Sequence, residues 1–222
     1  GSGAVQGEII NGEKTIGWSC HLMDKKFDNG YLISQKKIKF NKNSTPYLNE
    51  IIDKLLYGAD KFYINTIEKI LMSKKIKKKK IKNFGRYYPK FAEGDEYIDW
   101  NNESELIIRK IRSRSPQRLS ITYLKRQKRE FYIKKASHSK IKNYNFVNGQ
   151  VIDKDKKKGI LVKTVDNAIW LNLGSFDKKK FLIPSFKIGT EFYAMSIGNT
   201  LKLENQLRLL EKKFKKLLLK KT

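Results

Sequence analysis

Two neighbouring stretches decide the fold: Ile9-Ile10-Asn11-Gly12-Glu13-Lys14-Thr15-Ile16-Gly17 and, five residues on, Met23-Asp24-Lys25-Lys26-Phe27-Asp28-Asn29-Gly30. Val5 to Asn11 reads as the end of a helix, stopped by Asn11-Gly12, because glycine takes the left-handed backbone of a helix C-terminus at little cost. Thr15 to Met23 is β-branched and aromatic and reads as a strand. Asp24 to Gly30 is polar and closes on Asn29-Gly30, a turn signal. Tyr31 to Phe40 begins a second strand.

Further along, Pro46 to Met72 reads as one long helix, with Ile51, Leu55, Ile64, Ile67 and Leu71 at helical spacings. The run Ser73 to Lys82 is almost all lysine. Like charges at that density repel one another, so the run reads as a linker or exposed loop, extended by Phe84 to Pro89. Asn102 to Arg112 reads as a short helix capped by Asn102, with Glu103 and Glu105 suited to its positive end. Ser120–Leu124, Glu130–Lys135, Gly149–Asp153, Ile160–Thr164 and Ala168–Leu173 read as short, evenly spaced strands, the rhythm of a small barrel or sandwich. Asn199 to Leu219 reads as an amphipathic helix with Leu203, Leu207, Leu210, Phe214 and Leu217 on one side.

Composition bounds the function. Of 222 residues, 49 are Lys or Arg and 22 Asp or Glu, a formal net charge of +27. A hydrophobic share of 39% is too high for a disordered polycation. The single cysteine, Cys20, excludes a disulfide framework and a multi-cysteine zinc site. No apolar run approaches the length of a membrane span and nothing reads as a signal peptide, so the expected class is a soluble cytoplasmic protein without a metal. The charge invites a nucleic-acid reading. Its make-up weakens that reading, since 41 of the cations are Lys and Lys, Ile and Asn fill 82 positions, the bias that A/T-rich codons produce unaided. The charge is also uneven: residues 1–73 carry a net +2 and the rest carries +25.

The two opening stretches resemble the "IINGEKETG" and "MDEGLDTGD" motifs of the 10-formyltetrahydrofolate-dependent formyltransferases, the family of methionyl-tRNA formyltransferase and the amino-sugar N-formyltransferases. Tyr88-Pro89-Lys90, Ile98-Asp99-Trp100, the helix ending Ile111-Arg112, and the strands Gly149–Ile152 and Gly159–Thr164 are similar to later family motifs, in the family's order. The resemblance implies an α/β plus β fold: the C-terminal half of a Rossmann-like formyltransferase domain, then a small OB-like β-barrel and a C-terminal helix. The corresponding divisions are residues 1–73, a basic linker 74–95, the barrel 96–195 and the helix 196–222.

The resemblance also assigns roles. Asp28, at the last acidic position of the loop, matches the family's catalytic aspartate. Read from the residues alone, it equally starts the Asn29-Gly30 turn. Met23, Asp24, Phe27 and Asp28 match the loop that holds the folate of 10-formyltetrahydrofolate, the formyl donor, through main-chain groups. The family's Asn-x-His motif has no counterpart here, and His21 and His138 do not match it. The expectation from this is that the chain lacks the Asn/His half of the site and is inactive alone, or is an N-terminally truncated fragment of a longer enzyme.

The amine acceptor is open between initiator methionyl-tRNA, slightly favoured, and an amino nucleotide sugar. Lys77, Lys78, Lys79 and Lys80, with Arg109, Arg112, Arg114 and Arg118, are the candidates for tRNA phosphates. Against tRNA, Ser113 to Ser120 replaces the tRNA enzymes' "PxPGAxT". A third reading is a non-enzymatic basic module that binds single-stranded nucleic acid through Tyr123, Phe131, Tyr132 and Trp170.

Overall fold

The structure is a computed structural model and describes residues 3–25, 30–40, 46–73, 79–80, 86–140, 145–194, 203–204, 206–211 and 214. Contacts divide the chain into two compact units, Gly1–Lys90 with Arg112–Arg118, and Phe91–Ile111 with Leu119–Thr222.

In the first unit, α1 (Ala4–Ile10) ends at Asn11 and at Gly12, whose φ of 71° is the left-handed stop expected. The strands β1 (Thr15–His21) and β2 (Leu32–Lys39) pair antiparallel, and α2 (Leu48–Met72) covers them. Ile9, Ile16, Leu48 and Ile51 form the small core. Trp18 fastens sheet to helix: its Nε1–H donates to the Leu55 carbonyl at 3.1 Å and its ring stacks on Phe62 at 5.9 Å. The Tyr88-Pro89 stretch clamps α1. The Tyr88 ring lies so close over Gly7 that a Cβ there would fall 2.3 Å from it, and Asn11 Nδ2 donates to the Tyr88 hydroxyl at 2.9 Å. The Lys79 main chain pairs with Leu32, extending the β2 edge by one bridge.

The buried side of α2 differs from the expected one. Leu48, Ile51, Phe62 and Thr66 are buried, whereas Ile64, Ile67 and Leu71 are 55%, 54% and 79% exposed. At 100° per residue, Ile64 lies about 140° round the helix from Ile51. The helix carries apolar residues all round, and the Trp18 anchor, which spacing does not reveal, selects the face.

In the second unit, β3 (Ser120–Leu124), β4 (Arg129–His138), β5 (Val151–Asp155), β6 (Gly159–Lys163) and β7 (Ala168–Ser175) form one antiparallel sheet in the order β3-β4-β7-β6-β5. α3 (Ser104–Arg114) lays Ile107, Ile108 and Ile111 on one face, with Trp100, Ile133, Ile160, Val162, Ile169, Leu171 and Phe192. Leu161, Ala168 and Trp170 make a smaller cluster. β6 and β7 therefore contribute to both clusters, as the alternation of side chains along a strand allows.

The five strands do not close into the expected OB-like barrel. Instead the segment 189–193 hydrogen-bonds both edges: the Tyr193 N–H donates to the Tyr123 carbonyl (3.0 Å) and the Val151 N–H to the Thr190 carbonyl (2.8 Å). That segment makes single bridges, Leu124 to Phe192 and Gln150 to Glu191, and no strand ladder. The described part of the C-terminal helix (203–204, 206–211 and 214) is helical, with Leu203, Leu207, Leu210 and Phe214 exposed.

The cap of α3 is not Asn102, whose Nδ2 donates instead to the Asp99 carbonyl. The cap comes from 62 residues away: Asp166 accepts from the Ser104 N–H at 2.7 Å and the Ser104 hydroxyl at 3.0 Å. Partial burial pushes the Asp166 carboxyl up, but the hydrogen bonds from Ser104 and Thr164 outweigh it and hold the group below its ordinary value. A depressed carboxyl contributes stability that is present above the ordinary aspartate pKa and is lost as pH falls through the folded one. Asp166→Ala is therefore expected to cost about 0.5–2 kcal/mol at neutral pH. Urea denaturation at pH 7 and at acid pH checks this, the difference from wild type shrinking in acid.

Candidate functional site

The candidate site is the loop between β1 and β2. Its neck is fixed by the pairing of His21 with Leu32 and by the Leu22 N–H donating to the Tyr31 carbonyl at 2.9 Å. Gly30 is buried in that neck, where a Cβ would come 1.5 Å from the Leu22 carbonyl oxygen and 3.4 Å from His21 Nδ1. No other residue fits at Gly30 without moving backbone, so this glycine marks a close approach. The register shift between Cys20 and His21 bends β1 where the loop leaves it.

Of the residues assigned to the loop, Met23 and Asp24 are exposed, Met23 at 94%. Asp24 Oδ1 accepts from the N–H of the next residue, Lys25, at 2.6 Å. The main chain of Met23 to Lys25 thus stands at the surface, where a wall working through peptide groups would need it. Phe27 and Asp28 lie outside the described residues. His21 ends β1 half-buried, its Nδ1 3.0 Å from the Leu22 carbonyl oxygen. His138 ends β4, exposed, and its Nε2 is 3.1 Å from Glu105.

The basic candidates are dispersed. Lys77 and Lys78 lie outside the described residues; Lys79 and Lys80 are exposed. Arg109 donates through Nε to Glu105 at 2.7 Å. Arg112 sits over the Tyr47 ring at 5.4 Å. Arg114 is 6% exposed, and Arg118 is exposed. The aromatic candidates for base stacking are core: Tyr123, Phe131 and Trp170 are 5%, 3% and 7% exposed, and Tyr132 is half-buried. The Tyr132 and Tyr97 hydroxyls both donate to Glu130, and burial, then that carboxylate, pushes both phenols well up. Stacking of single-stranded bases needs open rings, so these four do not form a platform. Among the described residues, no three His, Cys, Asp or Glu side chains gather as a metal site. No described helix is long and apolar enough to cross a membrane.

Comparison with known proteins shows a likeness to formyltransferases along most of the chain. Residues 90–189 match the formyl transferase C-terminal domain, and methionyl-tRNA formyltransferase of Dictyoglomus thermophilum is 30% identical over 201 residues, 89% of this chain and 62% of that protein. Residues 90–189 are a formyl transferase C-terminal domain, and the formyltransferase likeness runs on beyond it. The chain spans about 62% of the length of the first curated relatives it matches. Its fold is similar to HypX from Aquifex aeolicus in complex with tetrahydrofolic acid: TM-score 0.59, 16% identity, 86% of this chain and 36% of that one. It is also similar to WlaRD, a sugar 3N-formyl transferase: TM-score 0.52, 20% identity, 76% of this chain and 58% of that one.

Two of the motifs prove structural. Tyr88-Pro89 clamps α1. In Ile98-Asp99-Trp100, Ile98 and Trp100 are buried, and Asp99 Oδ1 accepts from the Asn101 N–H at 3.0 Å. Sequence reading missed Asp166 because its partner is remote, and no local spacing could have revealed it.

Proposed function

We propose that this chain is part of an enzyme that moves a formyl group from 10-formyltetrahydrofolate to the amine of initiator methionyl-tRNA, with Asp28 handling the proton. The observation that carries the reading is the reach of the methionyl-tRNA formyltransferase likeness, which covers 89% of the chain and so spans the loop and the C-terminal unit together. The chemistry fits a carboxylate at a strand end. The amine sheds a proton as it attacks the formyl carbon, and the departing folate nitrogen gains one. A carboxylate within hydrogen-bond reach, directly or through one water, serves both needs. Met23, Asp24, Phe27 and Asp28 supply the main-chain wall for the folate, and the Gly30 neck holds that wall on the sheet. In this reading the C-terminal unit is OB-like, with segment 189–193 taking the place of a closing strand, and the enzyme works in the cytoplasm.

The departure at Ser113 to Ser120 and the burial of Arg114 favour a second reading, an amino nucleotide sugar as acceptor. Ionic strength separates the two. A tRNA acceptor held by as few as two phosphate contacts raises KM about tenfold between 50 and 200 mM salt, whereas a sugar acceptor leaves it nearly flat. Formyl-transfer kinetics at two salt concentrations decide between them, and a flat KM for methionyl-tRNA contradicts the first reading.

A further inference from the structure

A groove of about 240 Å³ runs along the first unit between β2 and α2, on the far side of Trp18 from the core. Lys36 reaches it from β2, and Lys61 and Lys69 from α2; Ser34 and Asn65 add a hydroxyl and an amide, and buried Phe62 forms the floor. Lys61, Asn65 and Lys69 follow at four-residue intervals and so share one face of the helix. Lys36 lies opposite Trp18 in the ladder, its Nζ 5.8 Å from that ring, which holds the side chain toward the helix. The lining carries three cations and no acid. Asp60 and Glu68 precede two of the lysines and are turned about 100° round the helix from them. Among the described residues, Lys61 and Lys69 form no ion pair. Three like charges around one groove repel until an anion enters, and donors of this kind with an amide and a hydroxyl suit tetrahedral phosphate oxygens.

We propose that this groove binds phosphate groups, from an RNA backbone or from a nucleoside diphosphate. The inference stands apart from formyl transfer, because binding is read without folate. The lysine-rich composition alone does not place three cations and no acid around one groove. Binding of a labelled RNA hairpin, followed by anisotropy between about 50 and 200 mM salt, and of inorganic pyrophosphate, followed by calorimetry, tests it on the full chain. The triple variant K36Q/K61Q/K69Q is compared with K14Q/K37Q/K39Q, which removes equal charge from exposed positions outside the groove. Thermal melts of both variants confirm folding. If RNA is the source, the groove variant flattens the salt slope by about 2–3, clearly more than the control. If a nucleoside diphosphate is the source, the groove variant alone loses pyrophosphate binding and the RNA slopes match. Should the groove variant behave like the control on both ligands, the site does not exist.

Discussion

Asp28→Asn in the enzyme that carries this chain is expected to lower the rate of formyl transfer by about 10²–10⁴-fold, the range for loss of a positioned proton-transfer group. Asparagine keeps the shape and the turn-forming side chain, so the Asn29-Gly30 turn and the loop neck survive. What goes is the ability to accept a proton from the attacking amine. The loss should fall on kcat, while binding of the folate, which depends on main-chain groups in this reading, changes little. Steady-state kinetics, with a separate folate-binding titration, check both halves. If Asp28 merely begins the turn, Asp28→Asn is nearly silent and only a substitution that disrupts the turn slows the enzyme.

The largest expected loss of stability is at Trp100. This side chain is fully buried, stacks on Phe192 with ring centroids 5.8 Å apart, and donates from Nε1 to the Thr122 hydroxyl at 2.9 Å. Trp100→Ala removes a large buried ring from a close-packed core, which typically costs about 3–5 kcal/mol. A domain holds only about 5–15 kcal/mol in total, so the second unit should be close to unfolding. Trp100→Phe keeps most of the ring and strands only the Thr122 hydroxyl, for a loss of about 1–3 kcal/mol. Urea denaturation followed by near-UV circular dichroism should rank wild type, Phe and Ala in that order. Equal midpoints for Phe and Ala would show that the hydrogen bond, not the ring, holds the site.

Local signals read well wherever the physics is local. Asn11-Gly12 ends α1, and the β-branched runs become β3 to β7 within a few residues. What depends on remote partners was not legible. The buried face of α2 is chosen by Trp18 on another element, so Ile64, Ile67 and Leu71 misled. The cap of α3 comes from Asp166, beyond any capping pattern. Even spacing of short strands fits an open sheet as well as a barrel, and it does not reveal that segment 189–193 bonds both edges of the sheet. At the site, Gly30 was legible as a special glycine, and the proposed role of Asp28 comes from family likeness. The net charge proved the least informative feature: of the four arginines singled out, one is in an ion pair, one lies over a tyrosine ring, one is buried and one is exposed. The groove at Lys36 was invisible because Lys36 is far in sequence from Lys61 and Lys69.

The most direct test is to supply the enzyme carrying this chain with 10-formyltetrahydrofolate labelled in the formyl carbon, together with methionyl-tRNA, and to analyse the aminoacyl product. The account predicts labelled formylmethionine on the tRNA, formed by the wild type and nearly abolished in Asp28→Asn. Undiminished formylation by Asp28→Asn would contradict it.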